Sequence, residues 1–380
     1  MKLSRMFSPI VLYAMALYAV IGVYQSYSSL YFVSQGLDHA AVGTLQAAAP
    51  MTAIIAQPFW GYAADRSGNR CSVLRWLILF SALSVSLYPL AKTLPWMIAA
   101  VCLFALFQTS LQPLSDAILL EEINRRQQPF GPLRIAETLA FAIITWISGR
   151  FFEHHGHWMP WVTAAMLLLS LTATLTLPNS SNNQVSKPKP FILLKDRQLM
   201  GLIGVSCLLQ ITMGFFFSFY PIYFTEQIGG SRTLLGWAYL IGSLSEIPFL
   251  IFGDRLFERL GVSRLLILSA ACMVLRWLLL ALVPQLPAAM LSQLLQGGSF
   301  VVMMFSMAKY ISLHVPEKLR ASGQTLLGMA GYGLSRVIGT LVGGWLARLW
   351  GIQILFGISA VLALTGLILQ AVALRKENPT

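Results

Sequence analysis

Charged side chains are scarce in this chain. Only 11% of its 380 residues are Asp, Glu, Lys or Arg, while 57% are hydrophobic. A soluble domain carries about 25% charged residues, so this composition excludes a water-soluble fold. Cysteine is almost as sparse. Cys71, Cys102, Cys207 and Cys272 lie far apart without metal or redox spacing, which excludes a disulfide framework and leaves them as small apolar fillers. No phosphate-binding loop, catalytic triad or ligand-spaced metal motif is present. Nothing points to an enzyme, to ATP-driven transport within this chain, or to a cofactor or metal. His154, His155 and His157 do cluster, but in a short polar loop where solvation is the favoured reading. Acidic residues are the rarer sign, 14 against 26 basic, giving a net charge of +12.

The apolar residues are grouped in runs of bilayer length, roughly 20 residues each, with a mean hydropathy over the whole chain of +0.70. Hydropathy and helix breakers place twelve spans, at about 8–34, 40–62, 73–91, 95–120, 133–152, 158–177, 200–225, 233–253, 264–283, 287–313, 321–347 and 351–373. The one long polar stretch, 178–198, is rich in Ser, Asn, Pro and Lys and reads as a linker. It divides the chain into 1–177 and 199–380, each with six spans. With the N-terminus placed in the cytoplasm, only Lys92, Arg150, Arg232 and Arg348 fall in outer loops, and Arg276, Lys309 and Arg336 fall within spans. Every other Lys and Arg is then cytoplasmic, as the positive-inside rule requires. The basic excess therefore sets topology and marks no nucleic-acid surface. Both termini are expected in the cytoplasm, and Met1 to Arg5 open an uncleaved first helix.

The halves also repeat. Leu30-Tyr31-Phe32 returns as Ile222-Tyr223-Phe224, Val42-Gly43 as Leu235-Gly236, and Asp65-Arg66-Ser67-Gly68 as Glu258-Arg259-Leu260-Gly261, at offsets of 192 or 193. Internal parallel repeats with six spans apiece are the pattern of an alternating-access transporter. Between Gly61 and Arg70 the chain reads Gly-Tyr-Ala-Ala-Asp-Arg-Ser-Gly-Asn-Arg. The spacing of Gly61, Asp65, Arg66, Gly68 and Arg70, with the degraded echo at Glu258, Arg259 and Gly261, resembles the signature loop of the major facilitator superfamily. That resemblance covers the whole chain. It implies an all-α integral membrane fold of twelve helices in two six-helix pseudo-symmetric bundles, and a conformational gate at these loops.

Ionisable residues at membrane depth are costly and mark functional sites. Here they are Asp116, Arg134, Glu137, Glu246, Arg276, Lys309 and Arg336. Asp116 follows a polar break, Gln112-Pro113-Leu114-Ser115, and stands about as far as Arg134 from the hairpin near 125–127. The two can meet across antiparallel helices, as a solute-binding pair or as a structural salt bridge. Arg276 needs a partner, for which Glu246 is the natural acid. Lys309 lies near the cytoplasmic end and can snorkel. Arg336 can pair with Glu246 or Glu137, or meet an anionic substrate.

Asp116-Ala117, the Arg125-Arg126 pair and Phe130-Gly131 leading to Arg134 resemble the same segment of the lactose permease-like, oligosaccharide–proton symporter family, and more broadly a phenylpropionate permease-like branch. The resemblance implies sugar binding by Asp116 and Arg134, and proton coupling by Glu246 with Arg276. The chain departs from that pattern at Gln296 and Ser299, which stand where the family has its titrating residues, and Gln296 is counted as a substrate-binding candidate instead. Its stacking tryptophan is also missing, with Phe141 or Trp146 able to serve. If a proton is carried, Glu246, Glu137 or Asp116 must carry it. Tyr24, Gln25 and Tyr27 on the first helix are candidates for stacking on a ring, or core aromatics. The expectation is a monomeric inner (plasma) membrane transporter, surrounded by lipid, that moves a small-molecule substrate with protons. The solute would be polar, such as a sugar or nucleoside. The alternatives are import of an aromatic carboxylate, drug efflux, or, with least weight, a transport-dead sensor or an integral-membrane enzyme.

Overall fold

The computed structural model describes residues 9–127, 131–175, 177, 193, 196–316 and 319–375. The linker at 178–198 lies outside the described residues except at Leu193 and from Asp196 onward. Phe130 and the basic residues Lys2, Arg5, Lys187, Lys189, Lys195, Lys318 and Lys376 also lie outside them. Among the described residues there is no strand. In lipid every backbone amide must be satisfied within its own segment, and an α-helix does this.

The first six helices are α1 Pro9–Ser34, α2 His39–Arg66, α3 Arg70–Val85, α4 in two pieces (Leu94–Gln108 and Leu111–Arg125), α5 Gly131–His155 and α6 Met159–Thr174. α7 is Arg197–Ile222 and ends in a π-helical turn, Tyr223–Gln227. The run Arg232–Leu282 is broken at Gly261, which takes φ 74° and ψ 161°. It therefore holds two helices, α8 over 232–260 and α9 over 262–282. α10 covers Leu286–Ser292 and Val302–His314, with a 3-10 turn at Gln293–Leu295 and a π turn at Gly297–Val301 between them. α11 joins Arg320–Leu326 to Ser335–Trp350 through π-helical Leu327–Leu334, and α12 is Ile352–Arg375.

Among the described residues, nine runs are long and apolar enough to cross a membrane. Two of these, Gly131–Thr174 and Arg232–Leu282, each contain two helices. With α2, a 28-residue helix, they make the twelve passes. Local chemistry fixes the corners. Asp38 accepts from the Ala41 amide at 2.8 Å to start α2, and Asn69 accepts from Ser72 at 3.1 Å to start α3. Both satisfy amides that a helix N-terminus leaves unpaired.

The chain divides into two compact units, Met1–Gln184 with Ser231–Leu240, and Val185–Gly230 with Ile241–Thr380. In the first unit α1 packs on α5 and α6; in the second α7 packs on α11 and α12. A glycine permits each central crossing. A Cβ at Gly22 of α1 would lie 3.3 Å from the Phe141 carbonyl of α5, and one at Gly214 of α7 would lie 3.0 Å from the Arg336 carbonyl of α11. Small residues at such crossings let helix backbones approach closely in a membrane. Pseudo-symmetry thus shows in which helices touch and in how closely they cross.

Candidate substrate and proton sites

The first unit holds its membrane-depth charges in one cluster. The guanidinium of Arg134 donates to the Tyr18 hydroxyl and, at 3.2 Å, to Oε2 of Glu137 one turn further along α5. Its plane also lies over the Tyr18 ring, 5.2 Å from the centroid. Gln112 of α4 donates to the same Tyr18 oxygen at 3.1 Å. Asp116, one turn beyond Gln112 and half-buried, interacts with Arg134 electrostatically. The close ion pair of Arg134 is therefore with Glu137, which is 2% exposed, while Asp116 acts on it through space. Next to Asp116, Ser115 is hydrogen-bonded to the Tyr13 hydroxyl. Tyr18 is thus a member of the cluster that the sequence did not announce, and Gln112 joins it from the polar break. Nothing in the sequence set Tyr18 apart, since α1 also carries Tyr13, Tyr24, Tyr27 and Tyr31.

The aromatic candidates of α1 face elsewhere. Tyr27 is buried and donates to the Thr145 carbonyl at 2.7 Å. Tyr24 is hydrogen-bonded to Tyr88 at 2.9 Å and packs on Tyr88 and Phe104. Their hydroxyls are engaged within the unit, which is the core-aromatic alternative. Gln25 and Phe141 are half-buried, Phe141 beside Gly22 at the α1–α5 crossing.

In the second unit Arg276 is fully buried. It donates to the side-chain oxygens of Gln296 and, at 2.9 Å, Gln293, and it stacks over Phe216 at 4.1 Å and Trp277 at 5.2 Å. Gln296 in turn donates to Oε1 of Glu246 at 3.4 Å. The expected Arg276–Glu246 link thus has a glutamine bridging its two ends. Gln293 also belongs to it, and its spacing of three residues from Gln296 puts both on one helix face. Arg336 is not held by Glu246 or Glu137; its guanidinium lies over the rings of Phe217 and Phe300, at 5.0 and 5.9 Å.

The gate loops differ between copies. Arg70 donates to Oδ1 of Asp65 at 2.8 Å and reaches Glu121 of α4 at 3.6 Å, while Arg66 donates to Tyr62 at 3.2 Å. Gly68 turns the chain at φ 68°; Gly61 is exposed with open space around it. In the second copy Gly261 makes the matching turn, but Glu258 and Arg259 are exposed and form no ion pair among the described residues. Among the described residues no group of three His, Cys, Asp or Glu could hold a metal.

Twelve membrane-spanning helices in two like units, each holding ionisable side chains at membrane depth, define a multi-pass secondary transporter of small molecules. The chain belongs to the MFS_1 like family, whose model matches residues 10–358. It is 27% identical over 351 residues to the maltose permease of Geobacillus stearothermophilus, covering 90% of this chain and 88% of that one. To the probable 3-phenylpropionic acid transporter of Escherichia coli it is 24% identical, covering 92% and 93%. The crystal structure of the nucleoside transporter NupG superimposes with a TM-score of 0.85 at 18% identity, covering 99% of this chain and all of that one. At that identity the likeness speaks for the fold alone. The resemblances drawn from the gate loop and from the α4–α5 segment therefore lead to the right family.

Proposed function

We propose that the protein is a proton-coupled symporter of a small polar solute, a sugar or a nucleoside. It would work as a monomer in the inner (plasma) membrane, with both termini cytoplasmic. The observation that carries this reading is the charge count around Arg134. One guanidinium serves two carboxylates, Glu137 and Asp116, so the cluster carries a net negative charge at membrane depth until one proton binds. Such a charge is costly, and a proton removes it. Proton uptake and solute binding would then meet in one place. Asp116 accepts hydroxyl hydrogens and Arg134 donates to hydroxyl oxygens, with Tyr18 and Gln112 holding the guanidinium. The maltose and nucleoside permeases among the similar proteins handle hydroxyl-rich solutes, which supports the same class here.

Glu246, linked through Gln296 to Arg276, is the second proton-coupling candidate, and the ion-paired loop at Asp65 and Arg70 is the proposed gate. Uptake of labelled maltose and uridine into proteoliposomes tests the proposal. An inward-acid gradient should drive accumulation, and Glu137→Gln should retain solute exchange but lose the accumulation. Net uptake that ignores the gradient sinks the symport reading.

A further inference from the structure

We propose that Arg336, Tyr332, Phe217 and Phe300 form a binding site in the second unit for an aromatic monocarboxylate. This goes beyond the polar-solute site at Asp116 and Arg134 and does not depend on it.

Three arginines lie at membrane depth, and two are answered by polar side chains: Arg134 by Glu137 and Tyr18, Arg276 by Gln293 and Gln296. Arg336 is not. It stands in the middle of the span Ser322–Trp350, far from either interface, where a guanidinium stays charged and cannot snorkel to water. Among the described residues no carboxylate forms an ion pair with it. Among the described residues its Nε has no hydrogen-bond partner, nor does the hydroxyl of Tyr332 one turn earlier on α11. Two donors on one helix face are therefore left without acceptors. What surrounds the guanidinium is aromatic: Phe217 and Phe300, which meet edge to face with centroids 6.1 Å apart.

The backbone is irregular at just these residues. Phe300 sits in the π turn Gly297–Val301, and Tyr332 in the π stretch Leu327–Leu334, which ends two residues before Arg336. π-Bulges cost helix regularity and recur at functional sites, where they re-aim side chains. Phe217 arrives because Gly214, one turn earlier on α7, lets the two backbones close at the Arg336 carbonyl. All four residues are half-buried, while the Arg336 Nε and the Tyr332 hydroxyl are themselves shielded, so a ligand reaches them by displacing the rings that cover them.

The constellation sets the ligand class. A planar guanidinium and a phenolic O–H match the two oxygens of a carboxylate. Two rings at right angles accept a planar apolar group. One fixed positive charge is neutralised by one negative charge; a dianion leaves the site charged, and a neutral polyol accepts hydrogen bonds but leaves the positive charge in place.

The test is equilibrium binding to the purified full-length protein in a non-ionic detergent, with 3-phenylpropionate and its neutral amide as probes. Charge-assisted hydrogen bonds distinguish the two, so the acid should bind about tenfold or more tightly than the amide. Arg336→Lys keeps the charge but loses the fork, and Tyr332→Phe keeps the shape but loses the donor. Each should weaken the acid several-fold and leave the amide unchanged. Asp116→Asn should leave acid binding intact. Absent acid binding, equal affinity for acid and amide, or an unaltered acid affinity in both α11 variants overturns the proposal. So does loss of acid binding in Asp116→Asn with the α11 variants unaffected. Maltose and uridine uptake, measured on the same preparation, fails independently if the Asp116–Arg134 reading is the one at fault.

Discussion

Burying an arginine in a membrane is expensive, and Arg276 shows what makes it tolerable. Its two glutamine acceptors answer the guanidinium with dipoles, and the flanking rings of Phe216 and Trp277 add cation–π contact. Gln296 is the member with two duties, since it also donates to Glu246. Gln296→Leu keeps the volume roughly but removes both. A charged donor that loses a buried acceptor costs about 2 kcal/mol. The variant should therefore unfold at lower denaturant in detergent and lose gradient-driven accumulation. Gln293→Leu, which leaves the Gln296–Glu246 contact in place, should show the stability loss with a smaller effect on accumulation. Equal transport in Gln296→Leu and the parent would disconnect Glu246 from Arg276.

At the scale of the element, the breaks matter more than the helices. Gly261 takes backbone angles that only glycine adopts without strain, so Gly261→Ala should cost about 1–3 kcal/mol. Gly61→Ala, at a helical position with open space around it, should be close to neutral. Thermal unfolding of the two variants side by side checks this, and equal melting would remove the structural role assigned to Gly261. The same contrast explains what sequence could reveal. Helix positions follow from bilayer thickness acting on apolar runs, so the expected span 8–34 and the observed Pro9–Ser34 nearly coincide. The expected span 95–120 is divided at 108–111, just before the polar break at Gln112-Pro113. The π stretches in α10 and α11 were not legible, because a π turn is held by neighbouring helices and leaves no local residue pattern. Asp116, Arg134 and Arg276 were visible as misplaced charges, whereas the partners Tyr18 and Gln293 were not. A tyrosine or glutamine carries no charge to look out of place.

For the whole molecule, the two halves share helix number and turn glycines and have diverged in chemistry. Gly36 and Gly229 are 193 residues apart, as are Gly68 and Gly261, and all four take positive φ. The turns of the ancestral unit have thus been kept in both copies. The ion pairs have not. In the first copy Arg70, with only 10% of its side chain exposed, bridges Asp65 and Glu121, tying the α2–α3 loop to the end of α4. In the second copy the acid and base at 258 and 259 point to solvent, and exposed pairs contribute little. If such a loop acts as a latch, only the first copy has a closed one to release. Removing a charge from it should then change the rate of interconversion without touching the solute site. Asp65→Asn should lower the initial rate of solute uptake by about tenfold, a change in barrier of roughly 1.4 kcal/mol, while equilibrium binding of the solute in detergent stays within about twofold. Glu258→Gln should alter neither. A rate loss matched by an equal loss of affinity would mean that the first loop shapes the binding site instead of timing its exposure. Equal rate losses in both variants would mean that the copies share the work despite their different ion pairs.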